Sequence, residues 1–247
     1  MTNLNSLSSM SDSSEALFAA LTAEKNRRLT ENRLAYYNPY PRQLEFHAAG
    51  TTARERLLMA GNQLGKTLTG GFEVAMHATG RYPEWWTGRR FDRPIVGWAC
   101  GVTGEVVRDT VQRVLVGRAG QSGTGAIPKD AIGELVSARG IPDLLDSIKV
   151  HHVSGGQSII GLKSYLSGRE KFQGETLDFV WFDEEPPADI YTEGLTRTNV
   201  GANPVRSCAA VSARAQRGPA HHVNDHRRCA ALFRRREGND HCELSPT

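Results

Sequence analysis

The chain has 247 residues, 39% of them apolar, and a formal net charge of +3, which allows one large or two small domains with a real core. No apolar run approaches a membrane span and the N-terminus lacks a charged-then-apolar signal, so a membrane protein is excluded and a soluble, cytoplasmic one expected. From Val205 onward there are eight Arg, no Lys and four acids, so residues 1–204 sum to −1 and the body is not a basic nucleic-acid surface.

Residues 1–14 hold six serines and are expected to be disordered. Residues 15–34 read as a helix with Leu17, Leu21 and Phe18 towards one face. The prolines of Tyr40-Pro41-Arg42-Gln43 break it, and residues 43–49 form a short helix. Residues 54–59 are the first strand, and Gly61-Asn62-Gln63-Leu64-Gly65-Lys66-Thr67 leads from it into a helix over residues 68–77. Strand, glycine-bearing turn and helix N-terminus in succession are the context of a phosphate-binding P-loop, although Ala60 stands where the strict motif has its first Gly. Backbone N–H groups of Gly61, Asn62, Gln63, Leu64, Gly65 and Lys66 are expected to hold the β-phosphate of ATP. Lys66 is expected on the β/γ oxygens, and the Thr67 hydroxyl on Mg²⁺.

Residues 81–93 form a loop whose Trp85 and Trp86 either pack it down or stack on nucleic acid. Residues 94–100 are a near-continuous apolar run, as in a strand buried on both faces. Residues 104–117 give a helix with Val107, Val111, Val114 and Leu115 on one stripe. A Gly-rich loop follows at 117–125, then a helix at 129–138 and strands at 148–153 and 158–162. Residues 177–182 form an apolar strand ending in Asp183-Glu184-Glu185-Pro186-Pro187. There Asp183 would hold Mg²⁺ through water and Glu184 would orient and deprotonate the attacking water. Alternating strands and helices predict an α/β fold, a P-loop NTPase of the RecA/ASCE-like kind with a mostly parallel sheet flanked by helices. Lys66-Thr67 and Asp183-Glu184 should then meet at adjoining strand ends.

The two motifs, with Tyr40-Pro41-Arg42-Gln43 before them and Gly194-Leu195-Thr196-Arg197-Thr198-Asn199 after, resemble the large subunit of tailed-phage terminases. These are the motor ATPases that drive genomic double-stranded DNA into proheads. The resemblance covers residues 36–199. It implies that Gln43 contacts adenine, where the local alternative is a helix-capping or solvent-facing Gln. Many terminases carry an arginine finger inside the P-loop; here that slot is Asn62. The role passes to Arg169, to Arg197, or to a neighbouring subunit. The resemblance also implies the partners: a small terminase subunit, a portal protein, double-stranded DNA and a homo-oligomeric ring, in the cytoplasm of a bacterial host. A P-loop helicase is the alternative motor, and a remnant that binds nucleotide without turnover is the non-catalytic alternative.

Beyond Asn199 the composition changes. Arg replaces Lys, Cys208, Cys229 and Cys242 gather with His221, His226 and His241, and neither strand nor helix period survives. A disordered basic tail, a zinc knuckle and an out-of-frame translation all account for this. The spacings match no paired-Cys zinc pattern, whereas a frame one base downstream of Val223 permits an acidic, helix-like sequence. The expected organisation is therefore residues 1–35 as a disordered start and helix, 36–200 as an ATPase domain incomplete at its C-terminal end, and 201–247 as an irregular tail. The family's next strand, its Thr-rich coupling motif and its nuclease domain are expected to be missing, and no nuclease activity is expected.

Overall fold

The computed structural model describes residues 4–61, 63–198 and 208–214, with residues 4–14 and 208–214 described through the backbone alone. Helix α1 (Leu4–Glu31) starts eleven residues before the expected helix, in the stretch read as disordered. No Gly or Pro interrupts residues 4–31, so a helix nucleated anywhere in this segment meets no strong breaker as it propagates. Helix α2 (Pro41–Ala48) carries Pro at its first position, where the missing N–H is harmless.

Strand β1 (Glu55–Ala60) and helix α3 (Lys66–Thr79) flank the glycine turn as expected. Strand β2 (Val96–Gly101) leads into α4 (Gly104–Val106), a π-helical segment (Val107–Gln112) and α5 (Arg113–Val116), which run on without interruption. The Thr103 hydroxyl caps this run by accepting from the Val106 N–H at 3.1 Å. Strands β3 (Ile132–Ser137), β4 (Leu145–His151), β5 (Gln157–Ser164) and β6 (Phe179–Asp183) follow. Helix α6 (Ala188–Arg197) and strand β7 (Cys208–Arg214) complete the described elements.

The sheet runs β1-β7-β6-β2-β5-β4-β3. Neighbours from β1 to β5 are parallel, and β4 and β3 extend the sheet as an antiparallel hairpin. Both faces of the centre are covered, and side-chain alternation sorts the apolar run of β6 between them. Phe179 and Trp181 join Phe72, Met76, Val111 and Leu115 on the α3 face. Val180 and Phe182 join Trp98, Cys100, Tyr165, Phe172 and Ile190 on the α6 face.

Two glycines let α3 lie close to its neighbours. A Cβ on Gly70 would come within 2.3 Å of the Trp181 indole, and one on Gly71 within 2.3 Å of Val114. Helix propensity opposes a Gly pair by about 1 kcal/mol each, so packing decides these positions. Trp86 is buried, and its indole N–H donates to the Arg89 carbonyl at 2.9 Å, so the tryptophan loop is packed down against the core.

Three further expectations change. Residues 129–138 are not a helix: a short 3₁₀ turn (Lys129–Ala131) gives way to β3, which pairs Leu135 with Ile148 of β4. Apolar residues in so short a segment fit either period, and the hairpin partner decides. The stretch after Asn199 does contain a strand. β7 inserts between β1 and β6, aligning Ser212 with both Leu58 and Asp183. The ends of β1 and β6 are therefore not adjoining. One strand separates them, which sets them about 9.6 Å apart at the usual ~4.8 Å spacing. Residues 215–247, with the out-of-frame reading and most of the Cys/His cluster, lie outside the described residues, as does Asn62.

Candidate active site

The site forms where β1 ends and α3 begins. Gly65, the residue before the first turn of α3, has φ +78°, a conformation open to Gly and strained for other residues, and Gln63 stands at φ +61°. No side chain caps α3 and no acidic residue lies in its first turn. Its leading N–H groups and its positive dipole end thus face the loop without a capping side chain, which suits a phosphate. The Lys66 ammonium donates to the Ala60 and Gly61 carbonyls, both at 3.0 Å, and so stretches back across the loop it follows.

The Thr67 hydroxyl lies 3.1 Å from Asp183 Oδ1 and 3.2 Å from Oδ2. Residues 116 positions apart thus share one point at the C-terminal edge of the sheet. Burial pushes the Asp183 carboxyl up to about 7, and the neighbouring Glu184 adds to this while Thr67 and Lys66 oppose it. A carboxylate that costs this much to ionise, set beside a hydroxyl oxygen, is a fit for a hard cation such as Mg²⁺. Waters and phosphate oxygens would supply the other ligands. Glu184 follows Asp183 at φ +68° with an exposed side chain, outside the strand ladder.

Gln43 is buried against this loop. Its Oε1 accepts from the Tyr40 N–H at 2.9 Å, capping the start of α2, and its Nε2 donates to the Leu64 carbonyl at 3.4 Å. It is therefore both a capping residue and a strut to the P-loop. Its amide keeps a second lone pair and a second N–H for a base.

Arg169 and Arg197 converge on Glu193 rather than on the P-loop. Arg169 donates to Glu193 Oε2 at 3.0 and 2.8 Å, and Arg197 Nε donates to Oε1 at 2.9 Å. Arg197 first and then Arg169 hold the Glu193 carboxyl below its usual range. Helix α6 runs away from the site: the Arg197 carbonyl accepts from the Leu177 N–H, ahead of β6, and the Leu195 carbonyl from Arg54, ahead of β1.

Behind the P-loop lies a buried cluster that carries no sequence motif. Glu73 of α3 receives Arg56 of β1 through both guanidinium Nη atoms, with His47 of α2 at 2.8 Å and His77 at 3.3 Å. Burial works to raise the Glu73 carboxyl, but Arg56 and the two histidines outweigh it and hold it well below the usual range. Burial likewise lowers His77. The cluster ties the helix bearing Gln43 to the strand and helix that flank the loop. The available signal was a Glu and a His four apart within the otherwise apolar face of α3.

The parallel sheet, the glycine turn and the Thr67–Asp183 meeting at its carboxyl edge define a P-loop NTPase domain. Similarity to known proteins narrows this. Residues 57–210 match the family model described as terminase large subunit, T4likevirus-type, N-terminal. The chain therefore belongs to the terminase large-subunit family, through that N-terminal domain. It is 42% identical over 213 residues to the terminase large subunit of Salmonella phage P22, a match covering 78% of this chain and 43% of that protein. The chain thus spans less than half the length of that curated relative. Among solved structures it resembles the large terminase of a thermophilic bacteriophage, with TM-score 0.47, 15% identity, and 72% and 39% of the two chains covered. It also resembles the large terminase ATPase domain of Thermus phage P74-26, with TM-score 0.44, 20% identity and coverage of 73% and 66%.

Proposed function

We propose that this chain binds ATP with Mg²⁺ and hydrolyses it as the motor domain of a phage terminase large subunit, the work being the packaging of double-stranded DNA into proheads. The observation that supports the reading is the contact of Thr67 with Asp183, which brings the P-loop and the acidic strand together. Loop N–H groups from Gly61 to Lys66 cradle the phosphates, and Lys66 moves from the Ala60 and Gly61 carbonyls onto the β/γ oxygens. Thr67, and Asp183 through water, would hold Mg²⁺, which would neutralise charge on the phosphates. Glu184 orients a water and takes its proton. Gln43 reads adenine with the amide valences that its cap and its P-loop contact leave over.

Arg169 and Arg197 would each have to leave Glu193 to act on a phosphate, so we assign the missing arginine to a neighbouring subunit of a ring. A small terminase subunit, a portal protein and duplex DNA are the proposed partners, and the bacterial host cytoplasm the proposed location. Among the described residues no helix is long and apolar enough to cross a membrane.

Steady-state hydrolysis of ATP by the wild type, Lys66→Ala and Glu184→Gln tests the reading. Glu184→Gln should keep nucleotide affinity and lose turnover by about 10²-fold or more, while Lys66→Ala should lose both. Equal turnover in all three proteins would remove the catalytic assignment.

A further inference from the structure

Glu184 departs from ordinary backbone geometry at the point where the proposed chemistry needs precision. Its φ of +68° places a non-glycine residue in the left-handed region, which persists only where surrounding contacts impose it. One such contact comes from a strand that is not its neighbour. Tyr165 follows directly on β5, and β2 separates β5 from β6. Its hydroxyl nonetheless lies 2.9 Å from the Asp183 carbonyl and 3.1 Å from the Glu184 carbonyl. A phenol in this position is a donor to both, sharing one hydrogen between two carbonyls on either side of the same peptide step.

The Tyr165 ring is buried in the α6-side core, with Phe182 at a centroid distance of 6.3 Å. Its backbone is fixed from both sides. The Ser164 hydroxyl donates to the Val102 carbonyl at 3.2 Å and the Leu166 N–H to the same oxygen at 3.1 Å. Four residues on, Arg169 anchors the segment to Glu193 of α6. The hydroxyl therefore reaches the acidic turn from a rigid base, while the Glu184 side chain it governs is exposed.

We propose that Tyr165 is a positioning residue: its hydroxyl, bridging the Asp183 and Glu184 carbonyls, holds Glu184 in the left-handed conformation that sets where its carboxylate leaves the strand end. The proposal rests on Glu184 acting on the attacking water, and it adds the residue that aims it. It predicts an effect on turnover separate from nucleotide binding, because Lys66, Thr67 and the loop N–H groups do not depend on this hydroxyl, and the Asp183 carboxylate keeps its own contact with Thr67.

Tyr165→Phe removes the hydroxyl and keeps the ring in its core site. In the full chain, kcat for ATP should fall by about tenfold to a hundredfold while KM and ADP affinity stay within about twofold. A purely structural loss would instead move affinity and thermal midpoint together. In a crystal structure of the variant, Glu184 should relax to negative φ. Wild-type kcat in Tyr165→Phe, or a Glu184 still near its original φ, overturns the proposal. If the wild type binds ATP and does not turn it over, the ATPase reading fails by itself. The backbone of Glu184 in the variant then still decides whether Tyr165 holds it.

Discussion

Removing the buried Glu73 carboxylate should cost more stability than any surface change, and the amount follows from its partners. In Glu73→Gln the side-chain volume is kept, but Arg56, with 2% of its side chain exposed, loses its counter-charge. Two contacts from Arg56 are affected, one through each Nη. At about 1.5–3 kcal/mol for each charged hydrogen bond, the loss is about 3–6 kcal/mol. Breaking one side of a buried pair costs about 3–5 kcal/mol, in line with this figure. With an m-value of about 2 kcal/mol/M, a loss of about 4 kcal/mol moves the urea midpoint down by about 2 M at pH 7.

The pH dependence gives a second check on the same group. A carboxyl whose folded pKa is depressed contributes stability above its unfolded pKa, about 4.5, and loses it as pH falls towards the folded value. The wild type should therefore lose stability more steeply than Glu73→Gln below about pH 4.5. Urea melts at pH 7 and through the acid range measure both effects. A midpoint shift at pH 7 under about 0.5 M would refute the reasoning, because it would mean Arg56 is satisfied without the carboxylate.

Gln43→Ala should weaken ATP more than GTP in equilibrium titrations, since the proposed contact is to the base; equal losses would make Gln43 a cap and P-loop strut alone. Asp183, pushed up to about 7 by burial, would have to ionise to hold the proposed Mg²⁺. Affinity for Mg²⁺-nucleotide should therefore rise up to about pH 7 and level off above it, and Asp183→Asn should flatten that profile. Gly70→Ala gains helix propensity but drives a Cβ to within 2.3 Å of Trp181. It should lower stability by about 1–3 kcal/mol in a denaturant melt, and a gain would show that α3 can shift away from β6.

The parts of the molecule that the sequence disclosed are those whose cause is local. The P-loop is legible because a turn at φ +78° calls for Gly65 and because the helix start leaves its N–H groups uncapped. The acidic strand is legible because β6, buried on both faces, must be apolar throughout until it ends at Asp183. What escaped depends on partners distant in sequence. Residues 129–138 carry apolar positions that satisfy a short helix or a strand, and only β4 settles which. Glu73, His47, Arg56 and His77 form one cluster of which the sequence offers only the Glu73–His77 spacing, since α2, β1 and α3 each bring part of it. Tyr165 belongs to no sequence motif, and its reach to the acidic turn depends on β5 lying one strand beyond β2 from β6.

The sharpest case is β7, and it bears on the site directly. Its segment shows small residues, a change of composition and no clear period, yet it pairs along its length with β1 on one side and β6 on the other. Two parallel strands whose facing edges both need partners favour whatever backbone follows α6, because unpaired N–H and C=O groups in a sheet interior are costly. Backbone ladders on both sides can then fix a strand that side-chain pattern alone would not. The spacing between β1 and β6, and with it the reach from the P-loop to Asp183, is thus set by a segment whose own sequence barely asks to be a strand. The meeting of Thr67 with Asp183 is accordingly a property of the closed sheet, and motif spacing alone could not supply it.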